Sequence, residues 1–211
     1  MTSEPQASDE QRLEPEDEAR ADFYALLARL YASAPDAPLL AAIAAAVPLA
    51  PDIVSGDANG IASAWESLRA ASALADPTAA ADEFQTLFVG VGKSEVSLYA
   101  SHYLGPQSGR PLAQIRATLA ALGLARRAEN SEFEDHLSVE LETMRMLVAG
   151  DADRPPAPIP EQRAFCERYL LPWVFDCCIA ISQCPLANYY IQVASFTRCF
   201  MALERDSFAV E

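Results

Sequence analysis

Glu18-Ala19-Arg20-Ala21-Asp22-Phe23-Tyr24-Ala25-Leu26-Leu27-Ala28-Arg29-Leu30-Tyr31 is the stretch from which the fold class is read. Phe23, Leu26, Leu27, Leu30 and Tyr31 recur at i, i+3, i+4, i+7 and i+8, which is one face of an α-helix. The rest of the chain extends that reading. Alanine fills 40 of 211 positions and glycine only 8, and alanine is the best helix former whereas tight strand turns need glycine. No alternating strand pattern and no repeat interrupts the helical periods. The expected class is all-α: one bundle-like domain of about ten helices. At 51% apolar and 21% charged, a mainly disordered chain is excluded.

Outward from the first helix, the expected elements follow from caps and breakers. A second helix is expected from Asp36 to Val47, stopped by Pro48 and Pro51, and a third over Ile61 to Leu74. Asp76-Pro77 reads as an N-cap followed by proline at the first helical position, with Phe84, Leu87 and Phe88 on the buried face and Gly90 at the end. A short helix over 94–103, a loop at Gly105 to Gly109 and a helix from Pro111 to Leu122 closed by Gly123 come next. Ser131-Glu132-Phe133-Glu134 reads as a capping box, Ser131 capping and Glu134 reaching back. It opens a helix with Leu137, Leu141, Met144 and Val148 that Gly150 closes. Three further helices are expected near 160–170, 172–183 and 186–206.

Residues 1–17 are acidic and proline-containing without apolar period and read as a disordered tail. Gly150 to Pro160 holds four prolines and reads as a hinge at 150–160. It sets a larger N-terminal lobe (18–149) apart from a smaller C-terminal lobe (161–211). The net charge is −15. Residues 1–22 carry eight acids and two arginines, leaving −6 in that segment and −9 in the body. A field of this sign argues against nucleic acid and anionic lipid as partners. The longest apolar run, Leu39 to Ala50, is broken by Pro48 and is shorter than the ~20 residues a bilayer needs, so no stable membrane insertion is expected. The first residues lack the basic and apolar regions of a secretory leader. A cytoplasmic location is expected, where five cysteines stay thiols.

Few residues carry chemistry. Asp135 and His136 are the most suggestive titratable pair, flanked by Glu132, Glu134 and Glu140, with Glu140 one turn beyond His136. Cap-and-salt-bridge and partner-binding readings of the pair both stay open. A metal site has too few ligands, since His102 stands alone on another segment. Cys166, Cys177, Cys178, Cys184 and Cys199 have no C-x-x-C spacing and read as small buried apolar groups. Gly90-x-Gly92 lacks a dinucleotide fingerprint and no phosphate-binding loop is present. Arg126-Arg127 reads as a helix end. No catalytic constellation is seen, so no enzyme is expected.

Four strings, in order, carry a resemblance. Asp82-Glu83-Phe84-Gln85-Thr86-Leu87-Phe88-Val89-Gly90-Val91-Gly92, Ser97-Leu98-Tyr99, Glu134-Asp135-His136-Leu137-Ser138-Val139-Glu140-Leu141 and Tyr169-Leu170-Leu171-Pro172-Trp173 resemble the TorD/DmsD/NarJ family of redox-enzyme maturation chaperones. The chain departs from the family at Val91, usually proline, and at Glu95-Val96, usually a proline pair or proline with an aromatic.

The resemblance implies a protein without enzymatic activity or resident cofactor, although weak GTP binding has been proposed for some members. Its partner would be the catalytic subunit of a molybdenum or tungsten oxidoreductase, or that subunit's twin-arginine signal peptide. The chaperone would hold the subunit until its molybdopterin guanine dinucleotide is inserted, before export. By position, Asp135 and His136 match the pair implicated in peptide binding, with Gly90, Gly92, Tyr99 and Trp173 as further matches. A basic, apolar leader needs carboxylates beside an apolar groove, which Glu134, Asp135 and Glu140 beside Phe133 and Leu137 are expected to supply. Residues 97–103 resemble members serving formate dehydrogenases more than those serving dimethyl sulfoxide or trimethylamine N-oxide reductases. Monomer and domain-swapped homodimer both fit the hinge. The alternative is a helical interaction or regulatory module with an unrelated partner.

Overall fold

The structure, a computed structural model, describes residues 13–49, 60–90, 92–105, 111–121, 133–151 and 154–210. Helix α1 spans Pro15–Ala32, so it begins three residues before Glu18 and takes residues 15–17 out of the expected tail. The cause is local: Pro15 sits at the first helical positions, and Glu16, Asp17 and Glu18 in the first turn complement the helix dipole. Residues 1–12 of that tail lie outside the described residues.

Helix α2 spans Ala37–Ala45, capped by Asp36, whose side chain accepts from Leu39 N at 2.9 Å. Helix α3 spans Ile61–Leu74 and α4 spans Pro77–Phe84, with Asp76 Oδ1 accepting from Thr78 N and Ala79 N. Both α4 and its cap are as expected. At its end α4 widens into a π-helical turn, Gln85–Val89, closed by a 2.7 Å bond from Gly90 N to Gln85 O. Residues 92–99 are not helical. The expected helix over 94–103 is only α5, Ala100–Leu104, because the preceding residues spend their backbone groups on a distant segment.

Helix α6 spans Pro111–Ala121 and α7 spans Leu137–Ala149. Gly123, Arg126, Arg127 and Ser131 lie outside the described residues. Helix α8, Ile159–Phe165, continues as a π-helical turn over Cys166–Leu170, and α9 (Val174–Gln183) and α10 (Tyr189–Val210) complete the chain. No strand occurs among the described residues, only two isolated bridges, Tyr99 to His136 and Asp151 to Arg154.

The fold is all-α with one shared core. Helix α1 lies along α7, while α10 packs on α3 and α9. Tyr24, Leu27, Leu30 and Tyr31 of α1 are fully buried with Leu137, Leu141, Met144 and Val148 of α7. Phe23 meets Trp65, Phe196 and Phe200 at 5.4, 5.1 and 5.7 Å, close enough for edge-on ring contacts. Residues from both sides of the 150–160 segment, expected to form separate lobes, share this core. Arg20 of α1 grips Glu204 of α10 with two nitrogens at 2.8 Å each, and Tyr24 donates to the same carboxylate. Glu83, ahead of the π-turn, accepts from Asn188, Tyr189 and Tyr190 N at 2.8–3.0 Å and so caps α10 from across the chain. Gly150, φ +71, closes α7 where a Cβ would run into the Arg154 carbonyl and the Pro155 and Pro156 backbone. Among the described residues no helix is long and apolar enough to cross a membrane.

Candidate functional site

The site is assembled by one short backbone pairing. Ala100 N donates to Asp135 O at 2.9 Å and Leu137 N donates to Leu98 O at 2.8 Å, which locks the Tyr99 segment antiparallel to His136. This pairing takes the Asp135 carbonyl and the Leu137 amide, groups that a helix begun at Ser131 would have spent in its own ladder. Helix α7 therefore starts at Leu137, not near Ser131, and its cap is His136. His136 Nδ1 accepts from Ser138 N at 3.2 Å, and Ser138 Oγ lies 2.7 Å from the same nitrogen. A nitrogen that accepts carries no proton, so the ring proton sits on Nε2.

Asp135 serves the other helix. Its Oδ2 accepts from Ser101 N at 3.3 Å in the first turn of α5. Asp135 is 3% exposed and His136 5%. The Tyr99 ring stands edge-on to His136 at 4.8 Å and lies 6.4 Å from the ring of Phe133.

Buried as it is, the turn borders two hollows. The first, of about 880 Å³, lies between α5, α6 and the 133–135 turn, walled by Tyr99, Leu112, Ala113, Phe133, Arg116 and Asp135. The second, of about 710 Å³, lies between the end of α1, the π-turn and the following loop, walled by Tyr31, Phe84, Phe88, Lys93, Tyr99 and His136. Tyr99 is the wall common to both. Adjacent residues of one turn thus serve opposite sides: Asp135 the first cleft, His136 the second.

The structure separates the eight expected site residues into three groups. Asp135, His136, Tyr99 and Gly92 line the clefts. Glu134 sits just behind, its Oε2 2.9 Å from Arg116 Nε. Glu140, Trp173 and Gly90 line neither cleft. Glu140 is 1% exposed and accepts from Trp173 Nε1 at 3.0 Å, so of the three carboxylates expected beside the groove only Asp135 lines a cleft.

Burial holds the Glu140 carboxyl well above the usual carboxylate range, the Trp173 bond opposes this, and the charge of Asp135 adds to it. Trp173, 1% exposed, also donates to Tyr169 O at 2.7 Å and stacks on Tyr103 at 5.5 Å, so it supports the site from below. Gly90, at φ +62, makes the turn after the π-helix, where a Cβ would clash with the Lys93 backbone.

Sequence reasoning missed Arg116, Leu112 and Ala113, which sit in an ordinary helix with no motif. It also passed over Lys93, although Lys93 is the only lysine of the sequence. Of the five cysteines read as buried apolar groups, Cys166, Cys177 and Cys178 are buried, whereas Cys184 and Cys199 are only partly buried against the core. No three His, Cys, Asp or Glu side chains among the described residues converge as metal ligands.

The family model of the nitrate reductase delta subunit matches residues 55–179 of this chain. The chain belongs to that family. The matched span contains the π-turn, the Tyr99–His136 bridge, both clefts' shared wall and Trp173. The chain is also similar to the chaperone protein TorD of Photobacterium profundum, 33% identical over 103 residues, which are 44% of this chain. It spans about half the length of that relative, 47%. Membership of the nitrate reductase delta subunit family agrees with the resemblance that the four strings carry.

Proposed function

We propose that this chain is a maturation chaperone. It binds the twin-arginine signal peptide, or the apo form, of the catalytic subunit of a molybdenum or tungsten oxidoreductase in the cytoplasm, and holds it until the molybdopterin guanine dinucleotide is inserted. The chain itself catalyses nothing in this reading. The observation that carries it is the placing of Asp135 in a largely apolar cleft, next to Tyr99 and Phe133. An apolar segment of the leader gains about 25 cal/mol per Å² of surface removed from water, before ordering costs. A carboxylate in the same wall fixes the register of its arginines. Phe133, half-exposed at the cleft mouth, is the apolar group that binding would cover.

Isothermal calorimetry of the full chain with a synthetic leader, two adjacent arginines followed by an apolar run, tests this. One-to-one binding is expected, about tenfold weaker for Asp135→Asn, the loss of one charge-assisted contact. Asn keeps an acceptor for Ser101 N, so the fold is retained. An affinity unchanged by Asp135→Asn removes the first cleft from the account.

A further inference from the structure

The acid behind the first cleft is already occupied by a base of the chain's own. Glu134 is 9% exposed, and its Oε2 lies 2.9 Å from Arg116 Nε, yet this oxygen has no hydrogen-bond partner among the described residues. The ion pair therefore has the distance of a good contact without its direction. A carboxylate taken out of water is stabilised best by a guanidinium that donates in a planar fork, and Arg116 offers a single misdirected N–H.

Arg116 is also free to leave. Its side chain is 47% exposed and stands in the cleft wall. Ile115 and Leu119 bury the adjoining side of α6, and Thr118 Oγ1 lies 2.6 Å from Tyr169 OH. The helix is held by these groups, so Arg116 swings into water by rotamer changes alone.

We infer that Arg116 is a built-in stand-in for an arginine of the bound segment. It neutralises Glu134 while the cleft is empty, and an incoming guanidinium displaces it by donating the hydrogen bonds that Arg116 leaves unmade. This inference rests on the peptide-binding reading above and names a specificity-determining residue for that same cleft. A segment without a guanidinium cannot replace Arg116 on Glu134 and leaves the pair closed, so only an arginine gains from opening it. A lysine, a compact ammonium with no fork, displaces it poorly.

The test is fluorescence anisotropy of the full chain with a labelled 20-residue leader peptide, and with the same peptide carrying glutamine in place of both arginines. Arg116→Ala lies on the exposed side of a helix and introduces the best helix former, so the fold is kept. It is expected to bind the arginine peptide about two- to fivefold tighter than the unmodified chain, the size of a half-exposed ion pair no longer broken on binding. No gain is expected for the glutamine peptide. Glu134→Gln is expected to bind the arginine peptide more weakly, and Arg116→Ala added to it brings nothing back. If the unmodified chain binds the leader but Arg116→Ala leaves affinity unchanged, weakens it, or tightens both peptides alike, the stand-in role is overturned and the cleft reading survives. If the unmodified chain binds neither peptide, both fall.

Discussion

Replacing His136 by alanine removes a cap and a wall in one step. The cap is the Nδ1 acceptor for Ser138 N, and loss of an N-cap acceptor costs about 1 kcal/mol. The wall is the edge-on contact with Tyr99 at 4.8 Å, and aromatic pairs of this kind contribute about 0.5–1.5 kcal/mol beyond their burial. With the ring buried at 5% exposure, His136→Ala is expected to destabilise the fold by about 2–3 kcal/mol, a fall in melting temperature of roughly 4–12 °C for a domain of this size. His136→Asn separates the two contributions. Asparagine is among the best capping residues, so it restores the acceptor but not the ring, and is expected to recover about 1 kcal/mol relative to alanine. Urea unfolding followed by circular dichroism measures both. Equal destabilisation by alanine and asparagine would refute the capping role of Nδ1, and with it the reason α7 begins at Leu137.

Two further outcomes follow from buried acids. Glu140 has a folded-state pKa raised above its ordinary 4.5 by burial, so the folded chain binds its proton more tightly than the unfolded chain does. The stability this contributes is full below about 4.5 and is lost as pH rises toward the folded value. Glu140→Gln, which stays neutral, is expected to gain stability relative to the unmodified chain between pH 5 and pH 8 in thermal melts at stepped pH; parallel melting profiles across that window would show that the carboxyl is not held protonated. Glu83→Ala leaves three amides at the start of α10 without their acceptor and is expected to cost about 1–2 kcal/mol. Hydrogen exchange should then rise at Asn188, Tyr189 and Tyr190, and unaltered exchange there would contradict the cross-chain cap.

Local signals carry the helices, and non-local ones decide the site. The α1 face and the Asp76-Pro77 start are visible because a period of 3.6 and a cap involve neighbours a few residues apart. The start of α7 is misread for the same reason. Ser131 to Glu134 fits a capping box locally, but the Asp135 carbonyl accepts from the Ala100 amide and the Leu137 amide donates to the Leu98 carbonyl, more than thirty residues away, and no window of sequence contains that. Glu140 looks like one more surface acid one turn after His136, yet its partner is the Trp173 indole. The π-turns at Gln85–Val89 and Cys166–Leu170 carry no distinguishing residue types. Asp135 and His136 stand out in the sequence as a titratable pair, Tyr99 is marked by the resemblance, and Arg116 becomes visible only once α6 is placed beside the 133–135 turn.

Hydrogen–deuterium exchange of the full chain with and without the two-arginine leader locates binding most directly. Protection is expected over Ser97–Leu104 and Phe133–His136, the segments that meet at Tyr99. Protection confined to other helices, or none at saturating leader, would contradict a client seated in the cleft beside Asp135.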